Sequence, residues 1–442
     1  MSDSRIPILI VGDAPSAVTG LGRIVRDLSI RIATHLSDRF DIATLGYGGS
    51  GDRTLPFFQY HIAEMKGWFI PTIRDVWHDF AGERKGVVFF IWDASRLGWF
   101  ARPENPESGC PDPSLRKWLA KPPFQKWVYP AMDALGPDGK LNYSINECLM
   151  GFDRVIAYSQ WAEDMIRRTP ETKLTGLCSL PHGIDTSVFY PRPSSRRLFH
   201  DELKFNGPEI HPDEYLVGII ATNQGRKDWG LAFDAVKRLS KEIRLRLYAQ
   251  TDILERYWSI PALAMDFDII RQVIVNTGPV TDDMMARIYS TCDLTLGIGP
   301  EGFGYPIFES LACGTPVLAG NYGGHAEHMH GSNLHPHSLV QPKGIRLEGV
   351  YNCERPVYDP QQWAYYAAKM LRAKKTNGSL LPAHLDWKNL WPKWQNWLLA
   401  GITDAETIPV PAPTPTQHDN TREMDTAISD QSMSIVASPE VP

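Results

Sequence analysis

Residues Pro300 to Gly324 read PEGFGYPIFESLACGTPVLAGNYGG. The apolar run Leu294 to Ile298 precedes them, a glycine loop follows, and the spacing predicts a helix over Tyr305 to Ala312 and a strand over Pro316 to Ala319. Strand, glycine turn, helix, strand is the repeating unit of a doubly wound parallel sheet, and it aims the free N–H groups of the helix start at the sheet's carboxyl edge. Such an edge binds anions. Glu301 stands in the loop and Glu309 inside the helix, with seven residues between them. Two carboxylates so placed accept hydrogen bonds from vicinal hydroxyls of a sugar and a ribose, while the backbone of Gly302 to Gly304 approaches phosphates. Carboxylates repel phosphate, so the acids belong with the hydroxyl ends of a ligand.

The same alternation extends outward in both directions. Tyr215 to Thr222 reads as a strand, followed by the loop NQGRKD and a helix through Leu231, Ala235 and Leu239. Strands near Ile243 to Ala249 and Gln272 to Gly278, and a helix Asp282 to Ser290, complete this half. Nearer the N-terminus, Ile6 to Val11 leads through GDAPSAVTGLG into a helix whose apolar stripe is Ile24, Leu28, Ile32 and Leu36. Gly86 to Trp92 and Arg154 to Ser159 are further buried-strand runs, the second leading into a helix over Trp161 to Arg168. Between the halves, PHGIDTSVFYPRP (Pro181 to Pro193) is an extended connector, because proline restricts itself and its predecessor. The expected fold is α/β: a Rossmann-like domain over residues 1–180, a connector over 181–193 and a second Rossmann-like domain over 194–385. A closing helix over 386–401 and a disordered, Pro- and Thr-rich tail over 402–442 complete the chain.

Composition narrows the function. Of 442 residues, 43% are hydrophobic and 22% charged, the balance of a folded enzyme-sized body. The net charge of −6 disfavours a surface that binds phosphate backbones throughout, though a local basic cleft is compatible with it. No apolar run reaches the length of a membrane span, and the first residues, MSDSRIPILIVGD, lack the charged leader and apolar core of a secretion signal. Six dispersed cysteines without a CxxC pair suit a reducing compartment. The expected address is the cytoplasm, or a host's cytoplasm if the chain is phage-encoded.

EGFGYPIFESLACGTPVLAGNYGG closely resembles the signature of family-four retaining glycosyltransferases that use nucleotide sugars (glycosyl transferases group 1) and have the two-Rossmann GT-B fold. PHGIDTSVFYP resembles their interdomain segment, and GDAPSAVTGLGR their N-terminal glycine loop in a bacterial and phage branch. The resemblance covers most of residues 6–400. It implies that Glu301 holds hydroxyls of the transferred sugar, that Glu309 binds the ribose, and that the backbone of Gly302, Phe303 and Gly304 faces the diphosphate. Arg226 and Lys227 match the cations such enzymes aim at the diphosphate, and a cationic pair at a strand's carboxyl end would also stabilise a leaving phosphate without a metal. Where relatives carry a further Arg, this chain has Ala221, so Asn223 or Gln224 stands in or the clamp is thinner. Gly20 and Gly22 would bring backbone to the reacting centre, and Arg23 either touches phosphate or lies exposed. Asp93, where many relatives have histidine, either deprotonates or orients the acceptor hydroxyl or caps a turn. His182 either contacts the sugar phosphate or acceptor or makes a structural hydrogen bond.

No metal or other cofactor is expected. Asp266, Phe267 and Asp268 spell the DxD of another glycosyltransferase fold, and His325, His328, His330, His335 and His337 cluster like metal ligands, but neither pattern has a second supporting feature. The aromatic residues Trp92, Trp99, Phe100, Trp118, Phe124, Trp127 and Tyr129, interleaved with Arg and Lys, read either as an acceptor platform or as core. The expected partners are a nucleotide sugar donor and a glycan, lipid-linked glycan or protein acceptor. A hydroxymethylated pyrimidine of phage DNA is an alternative acceptor. The rival readings are an epimerase or phosphorylase on the same fold, and a non-catalytic nucleotide- or glycan-binding protein.

Overall fold

The computed structural model describes residues 4–406, apart from 63–68, 70–71, 106–108, 111, 170–173, 175, 194, 206–208, 331–333, 350 and 374–377. The strands of the first half are β1 (Ile6–Asp13), β2 (Phe40–Tyr47), β3 (Phe58–Ile62), β4 (Gly86–Ile91), β5 (Phe124–Val128), β6 (Arg154–Ala157) and β7 (Cys178–Ser179). They form one sheet in the order β3-β2-β1-β4-β5-β6-β7, and every neighbouring pair is parallel. The second half contains β8 (Tyr215–Ile220), β9 (Leu245–Gln250), β10 (Val273–Asn276), β11 (Leu294–Gly297), β12 (Val317–Gly320) and β13 (Leu339–Val340). Their order is β10-β9-β8-β11-β12-β13, again wholly parallel. The strand order reverses beside β1 and beside β8, so the carboxyl ends of these strands open onto the crevice where doubly wound sheets bind ligands.

The expected strands are present within a few residues. The sequence reading missed β2, β3, β5, β7 and β13, and β5 shows why. FQKWV carries Gln125 and Lys126, yet all five residues are buried. Lys126 Nζ donates to the carbonyls of Phe100 and Ala101 at 2.8 and 3.4 Å, and its burial pushes the ammonium down to about 8. A lysine satisfied by carbonyls can occupy a central strand that its formal charge argues against.

The aromatic stretch from Trp92 to Tyr129 is core except for the half-buried Trp118. Trp92, Trp99, Phe100, Phe124, Trp127 and Tyr129 are all buried, and Phe100 stacks on Phe124. The acceptor platform is therefore a correction: these rings fill the space over β4 and β5. No helix among the described residues is long and apolar enough to cross a membrane.

The final helix, Trp387–Glu406, runs past Ile402, so residues 402–406 extend the closing helix rather than begin a tail. The remainder of the expected tail lies outside the described residues. This helix packs on the first half: Trp394 Nε1 donates to Pro181 O at 2.9 Å, Trp397 meets Trp127 at 4.8 Å, and Arg154 lies over the Trp397 ring. The antiparallel hairpin of β14 (Gly344–Glu348) and β15 (Cys353–Val357) was also unforeseen from the sequence.

Candidate functional site

The helix Tyr305–Ala312 begins at Gly304, whose φ of 91° is the left-handed conformation that glycine adopts without strain. Gly302 packs flat against the first half, where a Cβ would overlap the Met132 carbonyl oxygen. The signature loop is thus where the two halves touch. Further contacts seal the seam. Glu327 accepts from the backbone N–H groups of Gln160 and Trp161 at 3.1 and 2.6 Å, a carboxylate of one half at the helix start of the other. The Glu354 N–H donates to Leu135 O at 2.7 Å, and Leu135 N–H donates to the Tyr322 hydroxyl at 3.2 Å.

Glu301 lies at this seam with its side chain 18% exposed. Lys227 forms an ion pair with Glu301, and Arg226 adds a second at 3.2 Å. The three residues expected to meet the sugar and diphosphate are therefore together. Burial and the neighbouring guanidinium of Arg226 push the Lys227 ammonium down, which makes its carboxylate partner necessary to its charge. Asp133, from the loop after β5, reaches across to Arg226 at 3.0 Å and to Arg355 at 3.6 Å.

Glu309 is at the same seam and nearly enclosed. Burial raises its carboxyl, against the opposing charge of Arg23, with which it is ion-paired. The Tyr289 hydroxyl donates to it at 3.0 Å. Arg23 also pairs with Asp282, which Arg26 contacts at 2.9 Å. Arg23 is neither exposed nor free for phosphate here: it bridges two acids of the opposite half.

In the N-terminal loop, Thr19 donates to Asp13 and accepts from Gly22 N–H at 2.9 Å. Gly22 packs within its own loop, where a Cβ would lie 2.7 Å from the Ala17 oxygen, whereas Gly20 is exposed beside the Tyr305 ring. Asp13, which the sequence reading passed over, is raised by burial and lowered by the Thr19 bond.

Two further candidates make structural contacts. Asp93 caps the short helical turn Ala94–Arg96: its Oδ1 accepts from Ser95 N–H at 3.0 Å and from the Ser95 hydroxyl at 2.7 Å, and Arg96 lies 3.5 Å from Oδ2. His182 is 2% exposed, with ring centroids 3.9 Å from Phe303 and 4.8 Å from Tyr305. The Tyr129 hydroxyl donates to Leu180 O and lies 3.0 Å from His182 Nδ1. Burial holds the imidazole well below its usual range, so it is neutral. His182 and Phe303 form an aromatic bearing between the halves.

Asn223 is also structural: it donates to Trp258 O at 2.7 Å and accepts from Trp258 N–H at 3.0 Å, tying down the loop after β9. The DxD letters lie apart from the seam residues, with Asp268 92% exposed and paired to Lys237. The histidines disperse: His325 bonds Gly320 O at 2.9 Å, His328 faces His384, and His337 stacks on Tyr366. Among the described residues no group of three or more His, Cys, Asp or Glu is arranged to hold a metal ion.

Residues 215–346 match the family model described as glycosyl transferases group 1. A GDP-mannose-dependent alpha-(1-6)-phosphatidylinositol monomannoside mannosyltransferase of Mycobacterium tuberculosis is 26% identical over 155 residues, 34% of this chain and 39% of that protein. The serotype-specific mannosyltransferase WbdA of Escherichia coli is 31% identical over 117 residues, 25% of this chain and 14% of that protein. The matches to these curated relatives thus span well under half of their lengths. Among solved structures, Anabaena Alr3699/HepE in complex with UDP and glucose superposes with a TM-score of 0.63 at 16% identity, covering 90% of this chain and 100% of that one. Sucrose-phosphate synthase from Thermosynechococcus elongatus gives 0.60 at 16%, covering 91% and 100%. The fold is GT-B, two Rossmann-like halves joined along a seam.

Proposed function

We propose that this chain is a retaining glycosyltransferase that moves a sugar from a nucleotide diphosphate sugar to the hydroxyl of a glycan or lipid-linked glycan, without a metal, in a reducing cytoplasm. The observation that carries this reading is the cluster at the seam: Glu301 joined to Lys227 and Arg226, in the loop before the helix that starts at Gly304, with Glu309 inside that helix and paired with Arg23. Glu301 would accept hydrogen bonds from the sugar hydroxyls and Glu309 from the ribose. Lys227 and Arg226 would meet the charge that grows on the departing diphosphate, the largest single term in such reactions. The match over residues 215–346 covers this cluster, and both curated relatives are named as mannosyltransferases, which puts GDP-mannose first among donors to try. Burial of six of the seven Trp92–Tyr129 rings, Trp118 being half-buried, removes most of the residues on which a DNA base would have stacked. The six cysteines carry free thiols, as a reducing compartment requires.

Two of the donor-gripping groups are engaged across the seam, Arg226 by Asp133 and Glu309 by Arg23. A bound donor would exchange with these partners. The diphosphate replaces Asp133 at Arg226, and ribose hydroxyls share Glu309 with Arg23. Arg23→Ala would leave Glu309 without its guanidinium partner near the diphosphate, so nucleotide affinity should fall about tenfold by titration calorimetry. Unchanged or tighter binding would show that Arg23 only blocks the site.

The test of the whole reading is a thermal-shift screen of nucleotide diphosphate sugars. At about a hundred times Kd the matching donor adds about 2.7 kcal/mol and raises Tm by several degrees. If no nucleotide sugar shifts Tm at millimolar concentration, the donor assignment is wrong.

A further inference from the structure

A cavity of about 270 Å³ lies beside the Glu301 cluster, walled by the loop after β8, the loop after β9 and the β14–β15 hairpin. Arg226, Arg346, Arg355, Tyr257, Trp258 and Tyr358 line it. Its cationic wall is built by strand register: Arg346 and Arg355 are directly paired across the hairpin and so share one face. Like charges in that position repel, and a sequence tolerates them where an anion or a carboxylate offsets the cost. The offset within the protein is partial. Arg346 pairs with Glu348 at 2.6 Å, but the nearest carboxylate oxygen to Arg355 Nη1 is Asp133 Oδ1 at 3.6 Å, and Nη1 is buried without a hydrogen-bond partner. Trp258 Nε1 is likewise buried and without a partner. Of the two acids in the lining, Asp228 is committed to capping the helix Trp229–Leu239 at Leu231 N–H, 2.9 Å, and Glu348 to Arg346.

The third element is an aromatic face. Tyr257 is 60% exposed, and its ring lies flat on Gly225, where a Cβ would come within 2.8 Å of it. That glycine keeps the ring in place. An exposed aromatic face next to three guanidinium groups, with the two lining acids already committed, matches a sugar ring bearing a negative charge. The cavity adjoins Arg226 and Pro300, the neighbours of Glu301, whereas the ribose-binding candidate Glu309 faces the opposite side, toward Arg23 and Tyr289.

We propose that this cavity is an acceptor subsite for an anionic saccharide, a sugar carrying a phosphate or a carboxylate, with its ring on Tyr257 and its charge on Arg346 and Arg355. The proposal rests on the glycosyltransferase reading only for the word acceptor. Its test is ligand-observed NMR on the full chain with mannose 6-phosphate, glucuronate, mannose and inorganic phosphate, each with and without saturating GDP. The phosphate and carboxylate probes separate the two anion chemistries. We expect at least one anionic sugar to bind about tenfold more tightly than mannose and than inorganic phosphate, undisturbed by GDP. Arg346→Ala and Tyr257→Ala, both at exposed positions, should each weaken it about fivefold or more, with Tm and GDP affinity unchanged. The subsite is overturned if no anionic sugar binds at about 10 mM, if either variant leaves its affinity intact, or if inorganic phosphate binds equally well. Competition by GDP would instead assign the cavity to the donor and also overturn it. Failure of the donor reading shows separately, as the absence of any nucleotide-sugar shift in Tm.

Discussion

Glu301→Gln is expected to lower turnover of the donor in the presence of acceptor by about 10²- to 10³-fold, while nucleotide diphosphate affinity stays within about threefold of the wild type. Glutamine keeps the size of the side chain and one carbonyl acceptor but loses the charge that strengthens hydrogen bonds from sugar hydroxyls as the bond to the diphosphate breaks. It also removes the counter-charge of Lys227, an ammonium whose burial already disfavours its charged form. A bound diphosphate would supply that charge again, which is why affinity should survive while catalysis does not. The measurement is steady-state release of nucleotide diphosphate alongside calorimetric titration with GDP or UDP. Turnover within about fivefold of wild type would remove Glu301 from the reaction, and a protein with no turnover to lose would be a binding module.

Trp394→Ala should be the most destabilising single change at the junction of the closing helix with the first half. The side chain is fully buried, its ring centroid is 5.2 Å from Tyr129, and its Nε1 holds Pro181 O at the start of the connector. Truncation leaves a cavity and an orphaned carbonyl, a loss of about 3–5 kcal/mol. In a chain of this size that lowers Tm by roughly 4–6 °C in a calorimetric scan. The donor-induced rise in Tm should persist in the variant, because Trp394 touches none of the seam acids or cations named above. A midpoint within about 1 °C of the wild type would mean that the closing helix contributes little to holding the halves together.

Some of this was readable from neighbouring letters alone. A buried parallel strand announces itself as an apolar run, so Gly86 to Trp92 and Tyr215 to Thr222 were legible, as was the glycine-loop and helix start from Pro300 onward. The hairpin left a signal too: IRLEG and CERPV flank a turn in which Gly349 and Asn352 take positive φ, the pattern of two short strands. Other elements were hidden by chemistry that only packing supplies. FQKWV reads as polar until the carbonyls of Phe100 and Ala101 are seen to accept from Lys126. Asp93 and His182 look like reacting groups by type, yet one caps a turn and the other is sealed, neutral, among aromatic rings.

The chain's local periodicity and its glycine and proline punctuation were sufficient to point to two parallel sheets and to place Glu301 and Glu309 on one loop and helix. Which charges confront those acids was settled by folding, since Arg23 and Glu309 are separated by 286 positions and Arg226 meets Asp133 from the other sheet. Hydrophobic spacing is a property of neighbours along the chain. Coulombic partnership acts over a few ångströms of space, and no run of letters encodes it until both sheets have closed on each other.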